Sequence, residues 1–362
     1  MRVLIAPDKF KGTLSAREAA EAIARGVRRA ADARGIRAET DLCPVADGGE
    51  GTAEIVGSAL IDQGAVMSEV AATDLLGAPA AARIIRWQHV PDAWTNLIES
   101  AQVIGLARVP PNRRDPAAYN TGTLGQLISS IETDDLSRLI IALGGSATVD
   151  GGVGMARALG WQIDDAGVIA PPDSPLRGRV VALCDVDNPL LGAHGAARVY
   201  APQKGATPNQ VEQLERGLTK LVAVCRASGI ECDPEAPGSG AAGGLGFGLA
   251  TFLGARLVPG AEYLLDLIGF GERVAQAAVV ITGEGRLDAQ TAQRKAPMEV
   301  ARAARAHRKP VLAVVGQAED GGSWGGVFES VTACPEDGSD AVDRLENASA
   351  MAFGGWLSRR EA

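Results

Sequence analysis

The fold of this chain is decided by the stretch Leu139-Ile140-Ile141-Ala142-Leu143-Gly144-Gly145-Ser146, in which an apolar strand runs directly into a glycine turn. The same pattern, an apolar segment followed by a turn rich in glycine and aspartate, occurs at 3–9, 43–51, 180–188 and 279–288. In open α/β sheets ligands bind beyond the carboxyl ends of the strands. Glycines there let backbone N–H groups approach a phosphate, and carboxylates there can hold Mg²⁺. The repeated pattern therefore indicates an enzyme that handles phosphate groups.

Helical signals alternate with these strands in the first and last parts of the chain. Ser15 and Glu18 form a capping-box pattern that opens an amphipathic helix ending by Gly35. A strand at 37–43 and a helix at 53–60 follow, in the order typical of a parallel sheet. Further predicted elements are helices at 123–132, 153–159, 208–227, 245–252 and 297–306, strands at 138–143, 278–282, 311–315 and 327–332, and a closing helix from 341.

The segment from about 65 to 99 differs from its surroundings. It contains three strand-like segments, at 66–70, 81–87 and 94–99, with no helical pattern between them. Such a run favours antiparallel or mixed pairing and a second domain. We predict an α/β fold of two α/β domains. The first is a Rossmann-like parallel-sheet domain at 1–65 plus 275–362, and the second is an inserted mixed-sheet α/β domain at 66–274.

Composition excludes several classes of protein. A length of 362 residues predicts about two domains. The net charge of −9, with no basic run, argues against nucleic-acid binding. No apolar stretch is long enough to span a bilayer, and the N-terminus does not resemble a signal peptide. Five scattered cysteines and three histidines give no zinc pattern and fit a reduced, cytoplasmic compartment.

The lysines are few and are placed unevenly. Arginines number 29 and lysines six, yet Lys9, Lys11, Lys204 and Lys295 all lie in or beside the glycine- and aspartate-rich turns. A lysine ammonium binds phosphate as a compact point charge. The alternative is that these lysines stand by chance on solvated loops.

Charged residues at the strand ends give further candidates. Glu284, Arg286 and Asp288 alternate just beyond an apolar strand, either as a ligand site or as a salt-bridged structural turn. Asp185 and Asp187 bring two carboxylates to another strand end, where they can hold a metal or accept a proton, or where Asp187 can form an Asx turn. The N–H groups of the turn at 144–152 and the helix that follows suit an anion.

Common nucleotide signatures are absent or misplaced. No Gly-Lys pair occurs, so the chain has no P-loop. The segment 238–243 reads Gly-x-Gly-x-x-Gly, but the residues before it cannot form the buried strand that a dinucleotide fingerprint needs. This segment predicts either a loop that approaches a phosphate or close packing of a helix.

Several motifs together carry a family resemblance. They are the segments 6–15, 46–52, 144–152, 185–190, 201–207 and 282–291. Across essentially its whole length the chain resembles the bacterial glycerate kinases of type I. The resemblance implies ATP-dependent phosphorylation of D-glycerate, usually to 2-phosphoglycerate, and two α/β domains with the active site between them. The chain departs from the family at Lys9, where serine is common, and at Arg294, where glycine is common.

On this basis we assign roles to the candidate residues. Asp187, with Asp8 and Glu284 beside it, is expected to coordinate Mg²⁺ or to accept the glycerate hydroxyl proton, and Asp288 is a further metal candidate. Arg286 is expected to bind the substrate carboxylate. The expected phosphate- and substrate-binding residues are Lys9, Lys11, Lys204, Lys295, Asp47, Gly48, Gly49, Glu50, Gly144, Gly145 and Ser146. The alternatives are a kinase for another small hydroxy acid, an NAD-dependent hydroxy-acid dehydrogenase and a sugar-acid-binding regulator.

Overall fold

The computed structural model describes residues 1–90, 93–131, 136–171, 173, 175–287, 295–319, 324, 326–335 and 337–361. The chain divides into two compact units. Unit 1 is Met1–Asp47, Glu54–Ala59 and Ala261–Ala362, and unit 2 is Gly48–Ala53 and Leu60–Gly260. This division places residues 60–65 in unit 2 and residues 261–274 in unit 1. The predicted domain boundaries stay a prediction, and the predicted α/β class is confirmed.

The described strands and helices follow one another in chain order. The strands are β1 (Arg2–Pro7), β2 (Glu39–Leu42), β3 (Val66–Thr73), β4 (Pro79–Val90), β5 (Ala93–Glu99), β6 (Leu136–Ala142), β7 (Gln162–Ile163), β8 (Val168–Ile169), β9 (Val180–Leu183), β10 (Arg256–Val258), β11 (Val279–Gly283), β12 (Arg286–Leu287), β13 (Val311–Val315), β14 (Gln317–Ala318) and β15 (Ser330–Ala333). The helices are α1 (Ala16–Asp32), α2 (Thr52–Ala59), α3 (Ala101–Ile104), α4 (Gly122–Ser129), α5 (Val153–Ala158), α6 (Ala196–Tyr200), α7 (Pro208–Ala227), α8 (Ala241–Leu253), α9 (Gly260–Leu267), α10 (Phe270–Gln276), α11 (Ala296–Ala306) and α12 (Ala341–Glu361).

Unit 1 is built on a parallel sheet with the strand order β15-β13-β11-β1-β2. From β1 the chain moves to β2 on one side, whereas β11, β13 and β15 are added on the other. The strand order therefore reverses between β1 and β11, and Pro7 is paired with Gly283 at that point. Such a switch point is where open α/β sheets bind ligands, beyond the carboxyl ends of the strands.

Both faces of the three central strands of the unit 1 sheet, β1, β11 and β13, are buried, because these strands are almost entirely apolar. Val3 and Ile5 pack with α1 and α12, and Leu4 and Ala6 pack on the opposite face with α10 and α11. The predicted capping box of Ser15 and Glu18 is present at the start of α1. The ends of β1 and β11 are thus held in a rigid, fully packed frame.

Unit 2 contains a mixed sheet with the order β10-β9-β6-β5-β4-β3. Strands β5, β6, β9 and β10 are parallel, and β3, β4 and β5 are antiparallel. Because β5, β6, β9 and β10 run parallel to one another, their carboxyl ends lie along one edge of the sheet. The loops that begin at Ser100, Leu143, Cys184 and Pro259 all start from this edge.

One predicted element needs correction. The strand predicted at 327–332 begins later, since β15 covers only Ser330–Ala333. The helix predicted at 245–252 is confirmed within α8, whose first turn contains left-handed residues at Ala242, Gly243 and Gly244. No described helix is long and apolar enough to cross a membrane.

Candidate active site

Three carboxylates interact at the switch point of the unit 1 sheet. Asp8 follows β1 and Glu284 follows β11, and the Asp8 N–H donates to the Gly283 carbonyl at 2.9 Å. Burial, together with the neighbouring charges of Asp47 and Glu284, raises the pKa of Asp8 to about 8, against the opposing effect of Lys9. A carboxyl with a pKa near neutral pH can both hold and accept a proton under working conditions. The sequence-predicted residues Asp8, Lys9, Asp47 and Glu284 are therefore brought together.

Close contact between two loops fixes this cluster. A Cβ added to Gly285 would lie 3.2 Å from the Lys11 nitrogen, and one added to Gly283 would lie 2.0 Å from the Val314 carbonyl oxygen. Phe10 and Leu14 close the loop after Asp8 through two backbone hydrogen bonds. Gly283 is required because the neighbouring backbone passes too close for any side chain, whereas a side chain at Gly285 would need the facing backbone to move by a few tenths of an ångström.

The remaining unit 1 candidates lie around this cluster. Lys11 is exposed, and Lys295 is half-buried at the N-cap of α11. Arg286 lies on β12 and forms an ion pair with Glu319 at 2.8 Å on the surface. The arginine expected to bind the substrate carboxylate thus already has a carboxylate partner. Asp288 and Arg294 lie outside the described residues.

In unit 2 two glycine turns contact each other. A Cβ added to Gly144 would lie 2.6 Å from the Gly49 Cα, and one added to Gly48, whose φ is +83°, would lie 3.2 Å from the Leu183 Cβ. Thr52 Oγ1 donates to the Gly49 carbonyl at 2.6 Å. The predicted turns at Gly48–Gly49 and Gly144 are therefore adjacent. Glu50, which follows Gly49 in the chain and was also predicted to bind phosphate or substrate, is exposed.

A buried carboxylate supports the first of these turns. Glu99, at the end of β5, accepts a hydrogen bond from the Ala53 N–H at 2.7 Å in the first turn of α2. A carboxylate stabilises a helix N-terminus by satisfying a free N–H group and complementing the helix dipole. The sequence reasoning placed Glu99 at a strand end but gave it no role. The sequence signal that could have identified Glu99 is an acidic residue at the end of an otherwise largely apolar strand.

The second turn contains the backbone N–H groups of Gly145 and Ser146 and is contacted by the buried side chain of Lys204. The N–H groups of Gly145 and Ser146 donate no hydrogen bond to another described residue. Lys204, only 4% exposed, donates from Nζ to Ser146 Oγ at 2.9 Å and to the Thr148 carbonyl at 2.8 Å. Burial lowers the pKa of Lys204 to about 7, although the nearby Asp150 charge opposes the change. Lys204 thus supports the turn from within the protein.

The helix N-terminus after this turn is not available to an external anion. Asp150 accepts hydrogen bonds from the N–H groups of Gly152 at 3.1 Å and Gly154 at 2.9 Å. It also accepts from the N–H and hydroxyl of Thr121, each at 2.9 Å. The expectation that α5 offers an anion site was therefore wrong, because the chain's own carboxylate occupies that position.

Asp187 lies in the loop after β9, and its side chain is exposed at the carboxyl edge of the unit 2 sheet. Asp185, in the same loop, is half-buried. The adjacent Asn188 accepts a hydrogen bond from the Tyr200 hydroxyl at 2.6 Å and donates to the His194 carbonyl at 2.8 Å. Tyr200 was not identified from the sequence, because nothing in its local pattern relates it to Asn188.

The glycines at 238–248 serve backbone packing. A Cβ added to Gly240 would lie 2.2 Å from the Pro189 carbonyl oxygen, and one added to Gly243 would lie 2.0 Å from the Thr148 carbonyl oxygen. Residues 232–237 form no strand, as predicted from the sequence. Of the two interpretations offered for this segment, the contacts support close packing. They give no support to the dehydrogenase alternative.

No group of three or more His, Cys, Asp or Glu side chains in the described part of the chain is arranged to hold a metal ion. Mg²⁺ usually keeps several waters and takes only one or two protein carboxylates together with substrate phosphates. Each unit, taken by itself, has a carboxylate of the kind that Mg²⁺ prefers at a strand end, Asp187 in unit 2 and Glu284 in unit 1. Either carboxylate fits Mg²⁺ that enters with a phosphate ligand.

Comparison with known proteins follows the same motifs. The model of the glycerate kinase family matches residues 3–172 and 172–334. The chain belongs to the glycerate kinase family. The resemblance predicted from the turns is confirmed, and this glycerate kinase family member is a phosphoryl-transfer enzyme with a small-molecule substrate.

Relatives of known name agree with this membership. A glycerate kinase of Bacillus subtilis is 39% identical over 336 residues, which cover 87% of this chain and 85% of the relative. A glycerate 2-kinase of Escherichia coli is 37% identical over 339 residues, covering 88% and 86%. The crystal structure of a provisionally named glycerate kinase 2 from Salmonella typhimurium LT2 covers 100% of this chain and 99% of its own, with a TM-score of 0.81 and 34% identity.

Proposed function

We propose that this chain transfers the γ-phosphoryl group of ATP to D-glycerate and forms 2-phosphoglycerate. The observation that carries the proposal is membership of the glycerate kinase family, with a relative named glycerate 2-kinase matching 88% of the chain. Phosphoryl transfer depends mainly on positioning and charge neutralisation. Each unit offers groups suited to one of these tasks.

The glycine turn of unit 2 is the proposed phosphate site. The N–H groups of Gly145 and Ser146 have no described acceptor, and Lys204 Nζ donates a hydrogen bond to Ser146 Oγ in the same turn. Backbone N–H groups arranged in a turn bind phosphate oxygens. Gly48, Gly49 and Gly144 allow the neighbouring turn to come this close.

Asp187 is the proposed Mg²⁺ ligand of unit 2, because its carboxylate is exposed at the carboxyl edge of the sheet. Mg²⁺ held there would neutralise the charge of the phosphate groups. In unit 1 the roles of Glu284 and Asp288 as metal ligands stay predictions.

Asp8 is the proposed acceptor of the glycerate hydroxyl proton. Its pKa of about 8 places it nearer to working pH than an ordinary aspartate. Lys9 and Lys11, on the same loop, are proposed to neutralise anionic groups, as is Lys295 at the start of α11. Arg286 can bind the glycerate carboxylate only in competition with Glu319.

The cytoplasmic assignment also stays a proposal. It is supported by the five cysteines, all of which are free thiols in the structure. Such use of cysteine is typical of a reducing compartment.

The test is ADP formation by the purified chain with MgATP, with and without D-glycerate. We expect ADP to form only when D-glycerate is present, and much less with other small hydroxy acids. Asp187→Asn should lower kcat by ~10²–10⁴ if the carboxylate acts directly on the reacting groups. The matched control is Asp165→Asn, an exposed aspartate paired with Lys220, which should leave kcat unchanged. ADP formation with another hydroxy acid but not with glycerate would support the alternative kinase, and a change at the nicotinamide absorbance band would support the dehydrogenase.

A further inference from the structure

The loop that carries Asp187 is anchored at both of its ends. At the first end, the Cys184 N–H donates to the Val258 carbonyl at 2.9 Å and continues the pairing of β9 with β10. At the other end, the Asn188 carbonyl accepts from the Gly240 N–H at 2.9 Å. Asp187 is exposed between these points, and the contacts that hold its neighbours contribute to its position.

Asn188 is held through both its side chain and its backbone. Its side-chain amide donates from Nδ2 to the His194 carbonyl at 2.8 Å, and Oδ1 accepts from the Tyr200 hydroxyl at 2.6 Å. Together with the bond from Gly240, these contacts fix both the backbone and the side chain of Asn188. Because Asn188 is next in the chain to Asp187, the same contacts restrict the position of the Asp187 backbone.

Tyr200 is itself held firmly. It is the last residue of α6, in which Ala196 and Ala197 are fully buried. Arg198, two residues earlier, donates to both carboxylate oxygens of Glu212 on α7. Burial raises the pKa of Tyr200 to about 12, so the hydroxyl keeps its proton at any working pH.

We propose that Tyr200 is a positioning residue that acts through Asn188 to hold the Asp187 loop in its reactive geometry. The inference rests on the proposed function, because it gives Tyr200 a role in phosphoryl transfer only if Asp187 takes part in it. Small displacements of a reacting group reduce turnover strongly, even when the residue responsible touches no substrate.

The test uses Tyr200→Phe, which removes only the hydroxyl. We expect kcat for D-glycerate phosphorylation to fall roughly 5- to 10-fold, which corresponds to the loss of one hydrogen bond. The KM for ATP and the thermal midpoint should be nearly unchanged. Hydrogen–deuterium exchange should become faster in peptides covering 184–190 and stay constant in α7. The control is Tyr119→Phe in the same unit, whose hydroxyl donates to the Arg113 carbonyl at 2.6 Å and which should leave all four readouts unchanged.

A double-mutant cycle separates positioning from general weakening. If Tyr200 acts through Asn188, then Tyr200→Phe combined with Asn188→Ala should have the kcat of Asn188→Ala alone. Losses that multiply would overturn the proposal, as would normal kcat in Tyr200→Phe or unchanged exchange at 184–190. Failure of the proposed function would instead appear in the unmodified chain, as absence of glycerate-dependent ADP formation.

Discussion

Replacing Asp8 by asparagine should stabilise the protein while removing a group needed for activity. Asp8 is 6% exposed, and its pKa is raised from 3.8 to about 8. Asparagine has the same shape, and its Oδ1 can still accept the 2.7 Å hydrogen bond from the Lys9 N–H. The substitution therefore removes the buried acid without creating a cavity.

The sign of the effect follows from the direction of the pKa shift. Between pH 3.8 and about 8 the folded chain holds a proton on Asp8 that the unfolded chain has released, so stability falls as pH rises through this window. Each unit of pKa difference corresponds to ~1.4 kcal/mol, which sets the steepest decline per pH unit. Because Asp8 interacts with the charges of Asp47 and Glu284, part of the free-energy cost of ionising Asp8 depends on these two residues. We therefore expect the stability gain of Asp8→Asn to grow by about 1 kcal/mol per pH unit.

The assay is urea unfolding at pH 5, 6.5 and 8, followed by circular dichroism. Asp8→Asn should be slightly more stable than the unmodified chain at pH 5 and clearly more stable at pH 8, with kcat reduced at every pH. Asp32→Asn, at the exposed end of α1, is the control and should show no such growth with pH. An Asp8→Asn chain that is less stable, or whose gain does not depend on pH, would show that the folded protein carries Asp8 ionised without penalty.

Two further predictions concern the glycine turns of unit 2. Lys204→Met keeps the apolar stem but leaves Ser146 Oγ and the Thr148 carbonyl without their donor, so we expect the KM for ATP to rise about 10-fold or more, measured by steady-state kinetics. An unchanged KM would remove Lys204 from the phosphate site. Gly144→Ala would place a Cβ 2.6 Å from the Gly49 Cα and should cost ~1–3 kcal/mol of stability in urea unfolding. Gly217→Ala, on α7 with open space around it, is the matched control and should be neutral or stabilising.

Local sequence patterns predicted most of the fold. Helix α7 and strand β13 have the predicted bounds, because the apolar face of a helix and an apolar run flanked by turns are local signals. The late start of β15 was missed because Val327 and Phe328 are apolar but form a turn before the strand. The two-residue strands β7, β8, β12 and β14 are too short to produce a period.

The site was predicted in part. Residues at strand ends, such as Asp8 and Glu284, could be found because parallel strands bring their carboxyl ends to one edge. The role of a residue could not be predicted from the sequence where that role depends on a partner far away in the chain. Asp150 fills the N-terminus of α5 itself, and Arg286 is paired with Glu319. Glu99 and Tyr200 owe their roles to contacts with residues 46 and 12 positions away.

The central claim is that this chain phosphorylates D-glycerate on its 2-hydroxyl. The most direct measurement is the proton-coupled phosphorus NMR spectrum of the product formed from MgATP and D-glycerate. The account predicts a phosphomonoester signal split into a doublet by the single proton on C2. A triplet would place the phosphate on the 3-hydroxyl, and absence of any glycerate phosphomonoester from folded protein would contradict the proposed reaction itself.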